Sequence, residues 1–172
     1  LRSVEDCAER LTGELPALDV LINNAGIMAV PKSVTVDGFE SQLGTNHLGH
    51  FALTGLLLPR LLAAPAARVV NVSSTAHRAG RMRFDDLQGE ARYGAWSAYG
   101  QSKLANLLFT FELQRRLEAS GARALAAAAH PGYAATNLQF EGPRMSGSRA
   151  GALVMGAMNR LFAQDARGGA LP

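Results

Sequence analysis

The chain has 172 residues, of which 48% are hydrophobic and 18% charged, as expected for one soluble globular domain with a sizeable core. Its net charge is only +3, and its arginines form no basic stripe, so we predict no nucleic-acid partner. Cys7 is the only cysteine, which excludes an intrachain disulfide and a thiolate metal cage and suits a reducing cytosol.

The sequence also lacks the features of a membrane or secreted protein. No stretch reaches the roughly 18 uninterrupted apolar residues that a membrane-spanning helix needs. The best candidate, residues 51–67, is interrupted by Pro59, Arg60 and Pro65. No secretory signal opens the chain. We therefore predict a cytoplasmic protein without a membrane span.

The first part of the chain alternates helix and strand signals. Ser3, followed by Asp6 three residues later, predicts the start of a helix that runs to about Gly13. Residues 19–23 form a short apolar run closed by a glycine turn, which predicts a buried parallel strand. Helical spacing of apolar residues predicts a long helix over 36–59, which its final proline bends or ends.

The second part of the chain continues the alternation. Its predicted elements are a β-branched strand (68–72), an irregular segment (73–97), a helix (99–120), a strand of poor propensity (123–129) and a last helix (146–164). This order predicts an α/β fold with a parallel sheet that helices cover on both faces.

Polar or turn-forming residues lie at the end of each predicted strand or just after it. They are Asn-Asn at 23–24, Ser-Ser at 73–74 and Pro-Gly at 131–132. Ligand sites in parallel α/β sheets lie beyond the carboxyl ends of the strands. The sequence therefore predicts one shared site at that edge of the sheet.

Tyr99 and Lys103 are candidates for acid–base chemistry. They lie four residues apart on one predicted helix and so share a face. A free tyrosine has a pKa of about 10, and a nearby ammonium favours the phenolate. Such a pair can give a proton to a carbonyl oxygen or take one from an alcohol. The alternative is a chance pair on a solvated helix face.

Other polar residues near this edge have two interpretations each. Ser74 could hydrogen-bond a substrate oxygen, or it could be a polar turn after a strand. Asn46 lies inside a predicted helix, where it could mark a kink that holds a water or be an amide satisfied in the core. The turn at 23–26 could bring the backbone close to a ligand or be a bare turn.

Two histidines raise the question of a metal site. His47 and His50 are three residues apart in the same predicted helix, but no third ligand stands at a convincing spacing. We therefore predict no metal and interpret both as packing or interface residues.

Taken together, these motifs resemble the short-chain dehydrogenase/reductase family. They are Asn-Asn-Ala-Gly at 23–26, Asn46, Val-Asn-Val-Ser-Ser at 70–74, Tyr-Gly-Gln-Ser-Lys at 99–103, and Pro-Gly at 131–132 with Thr136. Thr-Asn-His-Leu-Gly-His-Phe at 45–51 and Ala-Tyr-Gly-Gln-Ser-Lys-Leu-Ala-Asn at 98–106 look most like its retinol-dehydrogenase-like branch. A sugar-nucleotide epimerase also uses Tyr-x-x-x-Lys, but it carries a longer substrate domain.

The resemblance implies an NAD(P)-dependent oxidoreductase that moves a hydride between nicotinamide and a small carbonyl or alcohol substrate. Tyr99 would be the acid/base, and Lys103 would lower its pKa while hydrogen-bonding the nicotinamide ribose. Ser74 would orient the substrate carbonyl, and Asn46 would position a water in a proton relay to Lys103. The alternative is a non-catalytic, reductase-like binding scaffold or an inactive fragment of such an enzyme.

The same resemblance implies the cofactor contacts. Those on the adenosine-ribose side would be Asn23, Ala25 and Gly26, and those on the nicotinamide face would be Pro131, Gly132, Tyr133 and Thr136. NADP is favoured over NAD by analogy with the retinol-dehydrogenase-like branch. A homo-oligomer is expected, because the family commonly packs the helices of Asn46 and Tyr99 against a second subunit.

One family feature is not found in the sequence. The family opens with a strand and a Thr-Gly-x-x-x-Gly-x-Gly loop that seats the pyrophosphate, and no such loop occurs here. The resemblance places Leu1 just after the third strand of the full fold. We therefore expect residues 1–172 to form a partial catalytic domain, the C-terminal half of a Rossmann-like doubly wound sheet, without the N-terminal strands and the last strand.

Overall fold

A computed structural model describes residues 1–132 and Met145. Three parallel strands form one sheet in the order β1-β2-β3: Val20–Asn23, Arg68–Val72 and Leu125–Ala129. Asn23 is in register with Asn71, and Asn71 is in register with Ala128. The carboxyl ends of all three strands therefore meet at one edge of the sheet, as the sequence predicts.

The helices connect the strands in the alternating order that the sequence predicts. They are α1 (Arg2–Glu14), α2 (Ser41–Leu43), a π-helical turn (Gly44–Leu48), α3 (Gly49–Ala63), a 3₁₀ turn (Thr75–Ala79) and α4 (Ala95–Ala119). The helix predicted over 146–164 lies outside the described residues. Among the described helices, none is both long and apolar enough to cross a membrane.

The hydrophobic core lies between the sheet and one layer of helices. Its buried members are Ala8, Leu57, Leu61, Ala64, Ala67, Val69, Leu113, Leu117 and Ala124. On the opposite face of β1, Val20 and Ile22 are 51% and 60% exposed. Within the described residues, the helices therefore cover one face of the sheet, whereas the sequence predicted helices on both.

The start of α1 differs from the prediction. The helix begins at Arg2 with Leu1 as its N-cap, and no side chain caps it, so the predicted cap at Ser3 is wrong. The reason is that the first turn closes on the carbonyl of Leu1, which accepts hydrogen bonds from the amides of Val4 and Glu5. Ser3 lies inside that turn.

The long helix predicted over 36–59 begins later and ends later. Val34 and Glu40 form an antiparallel bridge, and the Glu40 carboxylate then accepts hydrogen bonds from the amides of Gln42 and Leu43 at 2.9 and 2.8 Å. This side-chain cap starts the helical segment at residue 41. At the other end, α3 continues past Pro59 to Ala63, because its buried leucines are fixed in the core.

Candidate active site

Tyr99 lies near the N-terminus of α4, close to the carboxyl end of β2. Tyr99 is only 4% exposed, and its phenol faces Ser74, the residue that follows β2 and Ser73. Burial raises the pKa of Tyr99, and the interaction with the Ser74 hydroxyl opposes that shift. The structure therefore brings together the two residues that the sequence predicts to contact a substrate oxygen.

Ser73 and Ser74 have different environments although they are adjacent. Ser73 is buried, and its hydroxyl donates to the carbonyl of Lys103 at 2.9 Å. Ser74 is half-buried, caps the 3₁₀ turn that follows, and faces Tyr99. Only Ser74 thus presents its hydroxyl beside the phenol.

Lys103 lies one helical turn after Tyr99, on the same side of α4. Its ammonium is 5.7 Å from the centroid of the Tyr99 ring and donates to the carbonyl of Val72 at 3.1 Å. The side chain is 3% exposed, and burial lowers its pKa to about 8. The sequence predicted that Lys103 lowers the pKa of Tyr99. Here the loss of hydration is the larger effect on both groups, so the pKa of Tyr99 is raised instead.

Asn46 lies in the middle of the π-helical turn, where the helix deviates from α geometry. Its side-chain oxygen accepts from the amide of Ile27 at 2.8 Å, and its nitrogen donates to the carbonyl of Ile27 and to Ser102 Oγ at 3.0 and 2.9 Å. Asn46 thus lies at a distortion of the helix, and its buried side-chain amide is hydrogen-bonded through both its oxygen and its nitrogen. It ties the turn after β1 to α4. Its part in a water relay stays a prediction.

Gly26 lies in the turn after β1, against both Asn46 and Lys103. A Cβ atom at this position would be 3.0 Å from Asn46 Oδ1 and 3.7 Å from Lys103 Nζ. The backbone therefore approaches these two groups as closely as a residue without a side chain allows. The sequence predicted a close approach of this turn to a ligand, and that contact stays a prediction.

The side chain of Asn23 points into the protein and not towards the edge of the sheet where a cofactor would bind. Its side chain is buried and donates to Thr54 Oγ1 at 2.9 Å and to Asn71 Oδ1 at 2.8 Å. The reason is strand alternation, which points Asn23 towards α3 while its neighbours point away. Any cofactor contact at this position falls to its backbone. Ala25, two residues on, is exposed at the edge of the sheet.

The predicted contacts on the nicotinamide side are described only in part. Pro131 and Gly132 follow β3 after His130, and Gly132 has a positive φ of 66° that glycine adopts without strain. Its amide donates to Nδ1 of His130 at 3.2 Å. Tyr133 and Thr136 lie outside the described residues.

The two histidines of the predicted long helix are both engaged inside the protein. His47 Nδ1 pairs with Asn106 Oδ1 at 3.1 Å, and His50 Nδ1 pairs with the carbonyl of Asn46 at 2.9 Å. Burial lowers the pKa of each imidazole. In the described part of the chain, no group of three or more His, Cys, Asp or Glu residues is placed to hold a metal.

Two residues that sequence reasoning missed complete the polar face of α4. Ser102 accepts from Asn46, and Asn106 donates to the carbonyl of Val72 at 3.2 Å. A signal was available, because the buried polar residues of α4 recur at helical spacing: Tyr99, Ser102, Lys103, Asn106 and Thr110. A buried face with this many polar groups is unusual for a helix that only packs.

A nicotinamide cofactor fits the residues at this edge. An ammonium has three hydrogen-bond donors, and within the described residues Lys103 uses one of them, on Val72. Two donors therefore remain for hydroxyl oxygens such as those of a ribose. Gly26 and the exposed Ala25 give a ligand close access to the same edge.

Comparison with known proteins identifies relatives of this chain. The sequence model of a family described as short chain dehydrogenase matches residues 1–145. Retinol dehydrogenase 12 of Mus musculus is 56% identical over 131 residues, which are 76% of this chain and 41% of that protein. The chain spans about two fifths of the length of the curated relatives it matches.

Solved structures show the same fold. An uncharacterised protein from Mycobacterium Paratuberculosis is 60% identical with a TM-score of 0.68, over 81% of this chain and 52% of that one. An NAD(P)-dependent gluconate 5-dehydrogenase candidate from Beutenbergia cavernae, whose crystal contains NADP at low occupancy, is 25% identical with a TM-score of 0.62. That match covers 91% of this chain and 57% of the other. These neighbours confirm the Rossmann-like α/β class that the sequence predicts.

Proposed function

The chain belongs to the short chain dehydrogenase family, and we propose that it forms the catalytic part of an NAD(P)-dependent oxidoreductase that interconverts a carbonyl and an alcohol. The observation that carries this proposal is the convergence of Ser74, Tyr99 and Lys103. The phenol of Tyr99 faces Ser74, whose hydroxyl acts to lower the pKa of Tyr99, and the Lys103 ammonium lies 5.7 Å from the centroid of the Tyr99 ring.

Each of these side chains has a task that its position supports. In the reducing direction, the phenol of Tyr99 donates its proton to the substrate carbonyl oxygen, and the hydroxyl of Ser74 hydrogen-bonds that same oxygen. Lys103 is charged below its pKa of about 8, so it stabilises the phenolate that forms when Tyr99 loses its proton. A bound nicotinamide supplies or accepts the hydride.

The names of the relatives support a proposal for the substrate class. Retinol dehydrogenase 12 is 56% identical to the chain, and so we propose an apolar, retinoid-like aldehyde or alcohol as the substrate. NADP is the proposed cofactor, and the NADP in the Beutenbergia cavernae structure supports a phosphorylated nicotinamide dinucleotide in this fold. Discrimination between NADP and NAD stays a prediction.

The test is a rate measurement on the protein expressed from its complete coding sequence. All-trans-retinal is mixed with NADPH or NADH, and the loss of nicotinamide absorbance is followed. We expect turnover, and we expect Tyr99→Phe to reduce kcat by at least about 100-fold, the usual contribution of a positioned acid. Wild-type protein that binds cofactor but turns over neither retinal nor any other aldehyde would refute the proposal.

Tyr93→Phe is the matched control, because it removes the same hydroxyl from a different tyrosine. The Tyr93 hydroxyl donates to the carbonyl of Val30 at 2.8 Å and accepts from Gln42. Loss of the Tyr93 hydroxyl and of these hydrogen bonds should lower the melting temperature and leave kcat near the wild-type value. Equal losses of kcat in both variants would mean that Tyr99 acts only through the fold.

The alternative from the sequence is a non-catalytic scaffold, and the same assay decides between the two. A scaffold would bind cofactor or a partner without turnover, and Tyr99→Phe would change nothing. The cytoplasmic location, the homo-oligomeric state and the extent of the domain remain predictions.

A further inference from the structure

A second candidate site lies on another side of α4. Ala79, the segment 81–94 and the first turn of α4 border a half-open surface cavity of about 310 Å³. Its lining residues are Ala79, Arg81, Arg83, Arg92, Tyr93, Gly94 and Ser97. We refer to it as the arginine cavity. The proposed active site uses none of these residues.

The lining of the arginine cavity has one sign of charge. It contains three guanidinium groups and no carboxylate. Within the described residues, the ion pairs between side chains are those of Arg115 and Arg116 with Glu112, so the three cavity arginines form none. Guanidinium groups that are gathered around one cavity without a carboxylate in salt-bridge contact create a positive potential there and match the geometry of phosphate or carboxylate oxygens.

One acidic residue of the same segment, Asp86, interacts electrostatically with Arg83, which contributes to lowering the pKa of Asp86, but it does not line the cavity. The carboxylate of Asp86 accepts hydrogen bonds from the backbone amides of Glu90, Ala91 and Arg92 at 2.6, 3.3 and 3.1 Å. The Asp86 carboxylate therefore stabilises a turn over residues 86–92. Asp85 and Glu90 are exposed and do not line the cavity.

The segment that carries the arginines is held in place by the body of the protein. Gln101 of α4 accepts from the amide of Arg83 at 3.0 Å and donates to the carbonyl of Leu87 at 3.0 Å. Arg83 in turn donates through its guanidinium to the carbonyl of Arg92 at 2.9 Å. These bonds fix the backbone on both sides of the cavity, so binding would not have to order it.

The N-terminus of α4 adds to the positive potential. This helix is 25 residues long, and its N-cap, Gly94, provides no side-chain acceptor for the first amides. Gly94 and Ser97 both line the cavity, so the positive end of the helix dipole borders it.

The arginine cavity is separate from the proposed hydride-transfer site. Ser97 lines the cavity, whereas Tyr99 faces Ser74. Residues two apart on an α-helix point to different sides. A ligand in the cavity would therefore lie beside α4 on another side from the substrate.

We propose that the arginine cavity binds the phosphate group of a small phosphate ester. A dianionic phosphate matches three guanidinium groups and a helix N-terminus better than a single carboxylate does. The volume is at the lower end of the range for small-molecule sites, which suits a phosphate with a short attached group. A free phosphate ester and a lipid headgroup share this chemistry, and the experiment distinguishes them.

The test is a calorimetric titration of inorganic phosphate into the protein expressed from its complete coding sequence. The variants are Arg81→Gln and Arg92→Gln, and the matched control is Arg10→Gln, an exposed arginine on α1. All three side chains are exposed, so folding should be unaffected. We expect each cavity variant to weaken phosphate binding about tenfold, which equals about 1.4 kcal/mol, and the control to bind as wild type does.

A second arm separates the two sources of phosphate. Vesicles of phosphatidic acid in phosphatidylcholine are compared with vesicles of phosphatidylcholine alone. Binding to the acidic vesicles that is lost in Arg81→Gln, without binding of free phosphate, would assign the site to a lipid headgroup. Binding of free phosphate with no vesicle preference would assign it to a soluble ester.

The proposal fails if neither probe binds, or if the cavity variants and Arg10→Gln weaken binding equally. The Tyr99→Phe variant should bind phosphate as wild type does, because Tyr99 lies outside the cavity. A loss of turnover without a loss of phosphate binding, or the reverse, therefore shows which of the two proposals has failed.

Discussion

At the scale of single residues, the two serines after β2 offer a direct test of the proposed site. Ser74→Ala removes the hydroxyl beside Tyr99, and we expect a fall in kcat of about 100-fold. Because the same hydroxyl caps the 3₁₀ turn, we expect the free energy of unfolding to fall by about 1 kcal/mol or less. Ser73→Ala removes a buried hydrogen bond to the carbonyl of Lys103, and we expect it to lower the free energy of unfolding by about 1 to 3 kcal/mol. Steady-state kinetics and urea unfolding measure the two effects.

The two serine variants control each other, because the change is chemically identical. A Ser73→Ala variant that loses as much kcat as Ser74→Ala, while unfolding like wild type, would contradict the assigned positions. So would a Ser74→Ala variant with normal turnover.

Lys103 links catalysis to stability through its buried charge. Its pKa falls from 10.5 to about 8 in the folded protein, so the unfolded chain binds more protons between these two values. The stability of the wild type should therefore rise with pH across that window. Below pH 8 the ammonium is buried in its charged form, and this burial destabilises the folded protein to its full extent. At about 1.4 kcal/mol per pKa unit, the destabilisation amounts to about 3 kcal/mol.

Lys103→Met should accordingly be inactive and more stable than the wild type at pH 7, by up to about 3 kcal/mol. The carbonyl of Val72 keeps a donor in the variant, because Asn106 also bonds to it. The difference in unfolding free energy should shrink above pH 8 and vanish near pH 10.5. Urea unfolding of both proteins across pH measures this. A variant less stable than wild type at pH 7 would show that the hydrogen bond to Val72 outweighs the desolvation.

At the scale of elements, the sequence predicted the existence of helices and strands better than their ends. The helix over 99–120 was recognised from its apolar spacing, yet α4 begins at Ala95, because Gly94 and not Tyr99 adopts the extended N-cap conformation. The π-helical turn around Asn46 could not be read as such, since it depends on hydrogen bonds to Ile27 and Ser102. These residues are distant along the chain.

The turn after β1 and the helix α1 give a matched pair of glycine substitutions. Gly26→Ala places a methyl group 3.0 Å from Asn46 Oδ1, which is tighter than normal contact. We expect lower affinity for a nicotinamide cofactor and lower stability, because Asn46 has no space to move without losing its bonds to Ile27. Cofactor fluorescence titration and thermal unfolding measure these effects.

Gly13→Ala is the control for this substitution. Nothing lies within 4 Å of the added methyl group, and the residue is inside α1, so we expect a gain of about 0.5 to 1 kcal/mol. Cofactor affinity should not change. A Gly26→Ala variant that binds cofactor normally would remove the turn from the proposed site.

At the scale of the whole molecule, the order of helices and strands was enough to predict the parallel sheet, because each strand returns through a helix. The same order could not reveal how the layers are joined. A chain of buried hydrogen bonds runs from Thr54 on α3 through Asn23 and Asn71 to Thr110 on α4. Asn23 and Asn71 are 48 positions apart, and their contact depends on strand register, which no local pattern gives.

This chain of side chains joins the sheet to both neighbouring helices, so its two ends should be energetically coupled. Thr54→Val and Thr110→Val each remove one acceptor from an asparagine amide, at a cost of about 1 to 3 kcal/mol. We expect the stability loss of the double variant to differ from the sum of the two single-variant losses by at least about 0.5 kcal/mol, because residues in one hydrogen-bond network are not independent. Urea unfolding of the four proteins in the cycle measures this coupling. Strict additivity would mean that Asn23 and Asn71 respond to each helix separately and that the layers are joined by the hydrophobic core alone.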